Sequence, residues 1–80
     1  MSSSRPDPNA RAVGVACTKD RLKVVLSDRR EISVPLAWFP RLAQATAAQR
    51  DRWRLIAGGV GIHWEAVDED ISVRGLLASR

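Results

Sequence analysis

Hydrophobic and polar residues alternate with a period of two through the first half of the chain. The alternation occupies three runs separated by short polar segments: 13–17, 22–26 and 32–34. A period of two places alternate side chains on one face of a β-strand. We therefore predict a three-stranded antiparallel meander with one buried face, on which Val13, Val15 and Cys17 form the apolar set of the first strand.

The pattern changes after Pro35, which has no N–H for a strand ladder and is expected to end the third strand. The segment 46–49 fits the capping box S/T-x-x-E/Q, in which each side chain accepts a hydrogen bond from the other residue's backbone N–H. We predict a short helical turn after Pro40 and a helix from residue 46 to about Arg54. A helix this short is unstable alone, so it must dock on the sheet, with Trp53 as an apolar contact.

Two short apolar runs flank the glycine-rich segment 58–61. They predict a fourth and a fifth strand, joined by a turn that needs positive φ, which glycine adopts at low cost. Trp64, in the fifth strand, is expected in the core. The acidic residues 68–70 are predicted to form a solvated turn, and Ser72 is predicted to be the N-cap of a last helix over residues 73–78.

These elements predict an α+β fold: a small antiparallel sheet, made of a three-stranded meander plus a short hairpin, packed with two or three short helices. Residues 1–11 are rich in Ser, Pro, Asp and Asn and are predicted to be a disordered tail, which leaves 12–80 as a single domain. No apolar run approaches the roughly 20 residues of a membrane span, and the N-terminus lacks the apolar region of a secretory signal. We expect a cytoplasmic protein.

The net charge of +4 permits contact with nucleic acid but does not require it. Its distribution is more informative. Basic residues gather at Arg41, Arg50, Arg52 and Arg54, and acidic residues gather at Glu65, Asp68, Glu69 and Asp70. On the predicted helix Arg50 and Arg54 are four residues apart and share a side. Separate basic and acidic clusters suit a protein partner as well as a polyanion.

The only histidine, His63, lies in the acidic stretch and raises the question of a metal site. Imidazole and carboxylates from His63, Glu65, Asp68 and Asp70 are a conceivable ligand set. However, only one nitrogen ligand is available and no calcium-loop spacing is present. We expect no metal, cofactor or catalytic site, and we expect that the protein is not an enzyme. His63 is instead placed on the polar side of an edge strand, either hydrogen-bonded locally or contacting a partner.

Two other side chains have alternative interpretations. Trp38 and Phe39 lie between two prolines, where aromatic residues in a small core usually close the end of a sheet. We favour the core over an exposed interface anchor for Trp38, and more so for Phe39. The single cysteine, Cys17, cannot form an intramolecular disulfide and is expected to be a small buried hydrophobe.

Two long motifs resemble a known family. The segment 30–42 is similar to the R-x-I-x-V-P-L-x-W-F-P-R-L block of DUF2442, a family of small bacterial domains of unknown function. The segments 59–64, 68–73 and 75–77 resemble that family's second signature. At the second hairpin turn the family commonly has Asp-Gly, where this chain has Asp28-Arg29. Arginine at a left-handed position has a steric cost, which leaves open a longer or differently shaped turn.

The resemblance implies a compact α+β domain and no particular activity. Members are frequently encoded beside a small protein of the DUF4160 type, an arrangement similar to toxin–antitoxin pairs. This arrangement, the lack of a catalytic constellation and the separate basic and acidic clusters together favour a small protein-interaction domain, the non-catalytic (antitoxin-like or regulatory) partner of a co-encoded protein. The alternative is a nucleic-acid-binding accessory domain that uses the arginines, and a homodimer formed through an exposed sheet edge stays open. The candidate interface residues are Trp38, Arg41, Arg50, Arg54, His63, Glu65, Asp68 and Asp70.

Overall fold

The computed structural model describes residues 10–78 and contains six strands and three short α-helices. In chain order they are β1 Ala12–Cys17, β2 Arg21–Leu26, β3 Glu31–Pro35, α1 Pro40–Ala43, α2 Ala47–Arg50, β4 Trp53–Ile56, β5 Gly61–Trp64, β6 Glu69–Ser72 and α3 Val73–Ala78, with a 3₁₀ turn Leu36–Trp38 before α1. The predicted α+β class is confirmed. Residues 1–9 of the predicted tail lie outside the described residues. Ala10, which belongs to the predicted tail, is buried, so the packed part of the described chain includes a residue before Ala12.

The first sheet is the predicted meander, with strand order β1-β2-β3 and antiparallel pairing throughout. Alternate residues of β2 and β3 face the core: Leu22, Val24, Leu26, Ile32 and Val34. The opposite set, which includes Lys23 and Glu31, faces outward. One buried and one polar face is the usual arrangement in antiparallel sheets, and it follows from the alternation.

The predicted inward set of β1 is wrong at its first member. The register of β1 against β2 shifts between Ala12 and Gly14, and the extra residue of this bulge, Val13, is 57% exposed. Ala12 is buried in its place. A bulge inserts one residue without a cross-strand partner and so reverses the facing of the residues on one side of it.

The turn between β2 and β3 keeps a tight shape despite Arg29. Arg29 has a φ of 75°, and its N–H donates to the Leu26 carbonyl at 3.0 Å. The Asp28 carboxylate accepts from the Arg30 backbone N–H at 3.1 Å and pairs with the Arg30 guanidinium at 2.7 Å. The turn therefore holds arginine in the left-handed conformation that glycine would adopt without strain.

The predicted capping box is confirmed, but the predicted helix end is wrong. The Gln49 N–H donates to Thr46 Oγ1 at 3.1 Å, and the Thr46 N–H donates to Gln49 Oε1 at 3.0 Å. The helix nevertheless ends at Arg50, and Trp53 and Arg54 belong to β4. Since α2 buries none of its residues, little packing favours further turns, whereas strand pairing bonds the main chain directly.

The second sheet has one strand more than the predicted hairpin. Its order is β4-β5-β6, and Glu69 and Asp70, predicted to lie in a solvated turn, form the first half of β6. Acidic residues have low strand propensity, so pairing with β5 decides this element. As a result β5 is the central strand, and the prediction that His63 lies on an edge strand is wrong.

The turn between β4 and β5 joins the two sheets and the last helix. It has the predicted positive φ angles, 68° at Gly58 and 106° at Gly59. The Gly59 carbonyl accepts from the Ala12 N–H at 2.8 Å, and the Val60 carbonyl accepts from the Val73 N–H at 3.0 Å. The predicted cap of α3 is also present, because the Gly75 N–H donates to the Ser72 hydroxyl at 2.9 Å.

The core lies between the two sheets and the helices. Its largest fully buried side chain is Trp64, as predicted, and its indole N–H donates to the Arg50 carbonyl at 3.1 Å. Phe39 and Trp53 are half-buried against this core. Among residues 10–78 no helix is long and apolar enough to cross a membrane.

Candidate functional site

A row of charged and polar side chains crosses the second sheet. The register places Arg54 of β4 opposite His63 of β5, and His63 opposite Asp70 of β6. Side chains directly opposite in an antiparallel pair lie on the same face. Because the neighbouring Ile62 and Trp64 are buried, this row lies on the outer face of the sheet.

The row changes in charge and exposure from strand to strand. His63 Nδ1 contacts a carboxylate oxygen of Asp70. The side chain of His63 is only 16% exposed, whereas that of Asp70 is 70% exposed. Arg54 is exposed, and no hydrogen bond or ion pair joins its guanidinium to another residue of the described chain. The row thus presents an available cation, a shielded imidazole and an exposed carboxylate.

Apolar side chains border the row. Ile56 follows Arg54 on the same face of β4 and is 41% exposed. It lies over Gly61, where an added Cβ would be 3.8 Å from Ile56 Cβ. Val60, in the β4–β5 turn, is also exposed. We call Arg54, Ile56, His63 and Asp70 the second-sheet outer face.

Ile56 was absent from the predicted interface residues, and the sequence contains only a weak signal for it. It belongs to the apolar run 55–57, which predicts a strand without showing which residue faces outward. Arg54 and Ile56 alternate with Trp53 and Leu55, but this alternation becomes visible only when the strand begins at Trp53. The predicted helix through Arg54 concealed it.

Arg41 and Asp68 are brought together, but through the main chain. Arg41 Nη1 donates to the Asp68 carbonyl at 2.7 Å, which ties α1 to the β5–β6 turn. Asp68 has a φ of 52°, and its N–H donates to the Glu65 carbonyl at 3.4 Å. The side chains of Glu65 and Asp68 are exposed. Their predicted part in an interface stays a prediction.

Arg50 has a structural function that the sequence did not indicate. Its Nε donates to the Leu42 carbonyl at 2.9 Å and its Nη2 to the Ala43 carbonyl at 2.8 Å. Carbonyls in the last turn of a helix lack partners within the helix, so Arg50 closes the end of α1. The predicted sharing of one helix side by Arg50 and Arg54 is wrong, since only Arg50 is helical.

Trp38 lies apart from the second-sheet outer face, and the prediction that it belongs to the core is wrong. It is 50% exposed and lines a groove of about 450 Å³ beside β3 and Leu77. The 3₁₀ turn buries Leu36 and leaves Trp38 at the surface. The alternative interpretation, an exposed aromatic at an interface, stays a prediction.

Residues that could bind metal do not converge in the described chain. Among residues 10–78 no group of three or more His, Cys, Asp and Glu side chains is placed to hold an ion. Of the conceivable set, His63 and Asp70 are in contact, whereas Glu65 and Asp68 lie in the following turn. The arrangement provides one imidazole–carboxylate pair.

Cys17 is half-buried at the end of β1, beside a cavity of about 330 Å³ that Arg50 and Asp51 also line. Burial raises the pKa of its thiol above the ordinary 9.0, and the nearby Arg50 opposes this shift only in part. The thiol is therefore neutral near pH 7 and is a poor nucleophile.

Comparison with known proteins places the fold beside a solved structure. A crystal structure of a protein of unknown function from Rhodospirillum rubrum ATCC 11170 is similar, with a TM-score of 0.74 and 28% sequence identity. The match covers 88% of this chain and 87% of that one. No curated protein matches the sequence significantly. The family model of DUF2442, described as a protein of unknown function, matches residues 12–80. The chain therefore belongs to the DUF2442 family.

Proposed function

We propose that this chain is a protein-interaction domain and that its second-sheet outer face binds a small co-encoded protein, one of the DUF4160 type. In this proposal the chain is the non-catalytic, antitoxin-like or regulatory member of the pair, and it acts in the cytoplasm. The observation that carries the proposal is the row Arg54–His63–Asp70 with Ile56 exposed beside it. An apolar centre with a polar rim is the usual composition of a protein interface.

The chemistry of the face indicates what its partner must offer. An apolar side chain placed on Ile56 would remove its remaining exposed area from water, a gain of about 1 kcal/mol. At the rim of the interface, Arg54 would pair with a carboxylate of the partner and Asp70 with a basic group of the partner. Charged pairs at a rim contribute more to association rate and orientation than to affinity. The partner is therefore expected to carry charges of both signs around an apolar residue.

Nucleic-acid binding is supported less well by the same geometry. Arg41 and Arg50 are engaged with backbone carbonyls, which leaves Arg52 and Arg54 as the exposed members of the basic cluster whose guanidinium donates to no other described residue. Phosphate recognition gains its strength from several cations acting together. The sign change along the row, from Arg54 to Asp70, also places a carboxylate where a phosphate backbone would pass.

The test is an affinity capture of the tagged chain from lysate of its native organism, with and without nuclease, followed by reconstitution of the captured protein with purified components. The variant is Ile56→Asp, which places a charge on the apolar centre. Val13→Asp is the matched control, because Val13 is also an exposed β-branched residue but lies on the first sheet. Circular dichroism melts confirm that both variants are folded.

The proposal expects one small protein recovered in stoichiometric amount by the wild type and Val13→Asp in both nuclease arms, and lost with Ile56→Asp. The charge reversal Arg54→Glu provides a second variant, since that side chain bonds no other described residue, and it should weaken reconstituted binding. Binding that is unchanged by both variants contradicts the proposed face. Recovery that disappears with nuclease favours the arginines and nucleic acid instead.

A further inference from the structure

The outer edge of β3 has no strand partner among the described residues. Two backbone bonds flank the β2–β3 ladder: the Leu26 N–H donates to the Arg30 carbonyl at 2.8 Å, and the Leu36 N–H donates to the Asp20 carbonyl at 2.9 Å. Because bonded and non-bonded pairs alternate in an antiparallel ladder, the odd-numbered residues of β3 direct their main-chain groups outward. Three residues are odd-numbered: Glu31, Ser33 and Pro35.

An open groove runs beside this edge. It has a volume of about 450 Å³ and is lined by residues 30–34, the half-exposed Trp38 and Leu77 of α3. Outward N–H and C=O groups next to an exposed aromatic favour an extended segment that adds a strand to the sheet. The groove is therefore suited to a segment in the extended conformation of a β-strand.

We propose that the occupant is β3 of a second copy of this chain, paired antiparallel about a two-fold axis at Ser33. In this register each Ser33 N–H donates to the Ser33 carbonyl of the other copy, and the second lone pair of that carbonyl accepts from Arg21 Nη2 of its own copy. Each Glu31 N–H donates to the other copy's Pro35 carbonyl, so the missing N–H of Pro35 removes only one donor from each pair. On the inner face Ile32 meets the other copy's Val34, and the two first sheets become one six-stranded sheet.

Charge complementarity distinguishes a second copy from an arbitrary strand. Arg21 reaches across β3 on its outer face, where its Nε donates to Ser33 Oγ at 2.7 Å and its Nη2 to the Ser33 carbonyl at 3.2 Å. Arg21 lies opposite Pro35 in the register. The second copy's Glu31 would lie opposite the same Pro35, about 10 Å from Arg21 across two strand spacings, within reach of the two long side chains.

The two-fold axis makes this contact twice. Arg21 of each copy approaches Glu31 of the other, and no pair of like charges stands directly opposite along β3. Like charges directly opposite in a sheet are destabilising, and this register of β3 with itself avoids them. The interface lies on the first sheet and is separate from the second-sheet outer face.

The test is sedimentation equilibrium of the purified chain over a wide concentration series, for the wild type and a charge-swap set. Glu31→Arg and Arg21→Glu should each raise the dimer dissociation constant by at least about tenfold, because each creates two repulsive contacts per dimer. The double variant Glu31→Arg with Arg21→Glu restores both attractions and should dimerise again. Arg54→Glu is the matched control and should leave the constant unchanged, whatever its effect on a protein partner.

A wild-type chain that is monomeric at all concentrations overturns this proposal, and so does a dimer that Glu31→Arg leaves intact. Failure of the double variant to recover dimerisation, when circular dichroism shows it folded, overturns the proposed register. Because Arg21 also bonds Ser33 within one copy, the comparison between the single and double variants separates loss of pairing from loss of local structure.

Discussion

Gly59 is the position where a single methyl group should cost the most. Its φ of 106° is strained for any residue with a side chain, and an added Cβ would lie 2.3 Å from the Ala12 carbonyl oxygen. The strain contributes about 1–3 kcal/mol. Relief of the overlap must move β1 away from the turn, which weakens the bond from the Ala12 N–H to the Gly59 carbonyl, about 0.5–1.5 kcal/mol.

The expected cost of Gly59→Ala follows from these terms. Alanine restricts the unfolded chain and returns about 0.4–1 kcal/mol, which leaves a net destabilisation in the range of about 0.5–4 kcal/mol, with a central value of about 2 kcal/mol. A domain of this size has a total free energy of unfolding of about 4–12 kcal/mol. At the central value the melting temperature should fall by about 8–16 °C, because 1 kcal/mol corresponds to about 4–8 °C in small domains.

Two other glycines provide graded controls in urea unfolding followed by circular dichroism. At Gly14 an added Cβ would meet Val25 Cβ at an ordinary 3.8 Å, so Gly14→Ala should be neutral or slightly stabilising. At Gly58 the φ is 68° and the nearest atom, at 3.2 Å, is the movable end of Arg11, so the cost should be about 1 kcal/mol. If Gly59→Ala is no more destabilising than Gly58→Ala, the argument from the Ala12 contact is refuted.

Three further predictions concern the turn, the cap and the thiol. Arg29→Gly should stabilise the domain by about 0.5–1 kcal/mol in urea unfolding, because it removes left-handed strain; an equal gain from Arg29→Ala would contradict this cause. Thr46→Ala should cost about 1 kcal/mol and Thr46→Ser much less, since serine keeps the oxygen that the Gln49 N–H bonds; equal losses would exclude the cap. The raised pKa of Cys17 means that the folded protein binds the thiol proton more tightly than the unfolded chain does. The contribution of the protonated thiol to stability is therefore complete below pH 9.0 and is lost as the pH rises towards and beyond the higher pKa of the folded state. The free energy of unfolding of Cys17→Ala should therefore fall less at alkaline pH than that of the wild type. The same pH dependence in both proteins would contradict this prediction.

Local signals in the sequence predict a large part of this fold. The β2 and β3 alternation, the capping box at Thr46 and the N-cap at Ser72 each depend on residues a few positions apart. The positive φ angles at Gly58 and Gly59 follow in the same way, because no other residue adopts them as easily. Each of these features is therefore signalled by a short stretch of the sequence.

Features decided by pairing could not be predicted. The bulge at Val13, the end of α2 at Arg50 and the strand at Glu69 all depend on what a distant segment offers. Strand propensity is a property of the pleated surface a residue meets and only weakly of the residue itself. A strand that begins with acidic residues, such as β6, therefore cannot be predicted from its own sequence without knowledge of its pairing with β5.

The candidate site shows the consequence of that missing strand. Arg54, His63 and Asp70 are each nine or seven positions from the next in the sequence and meet only because two turns set the register of three strands. With β6 interpreted as a turn, Asp70 had no fixed position, and with Arg54 interpreted as helical, the row had no first member. Predicting the residues individually was possible, but predicting their alignment required the strand register.

The arginines lead to a different conclusion from the net charge. Arg21, Arg30, Arg41 and Arg50 each donate to an oxygen within the domain. A planar guanidinium with several donors is well suited to closing helix ends and tying turns, which a small domain with little core must do with surface side chains. An arginine that donates to an oxygen of the domain is held in one orientation, so its guanidinium is less free to contact a phosphate. The net charge of +4 therefore includes arginines that hold the fold together as well as arginines whose guanidinium bonds no other described residue, such as Arg54.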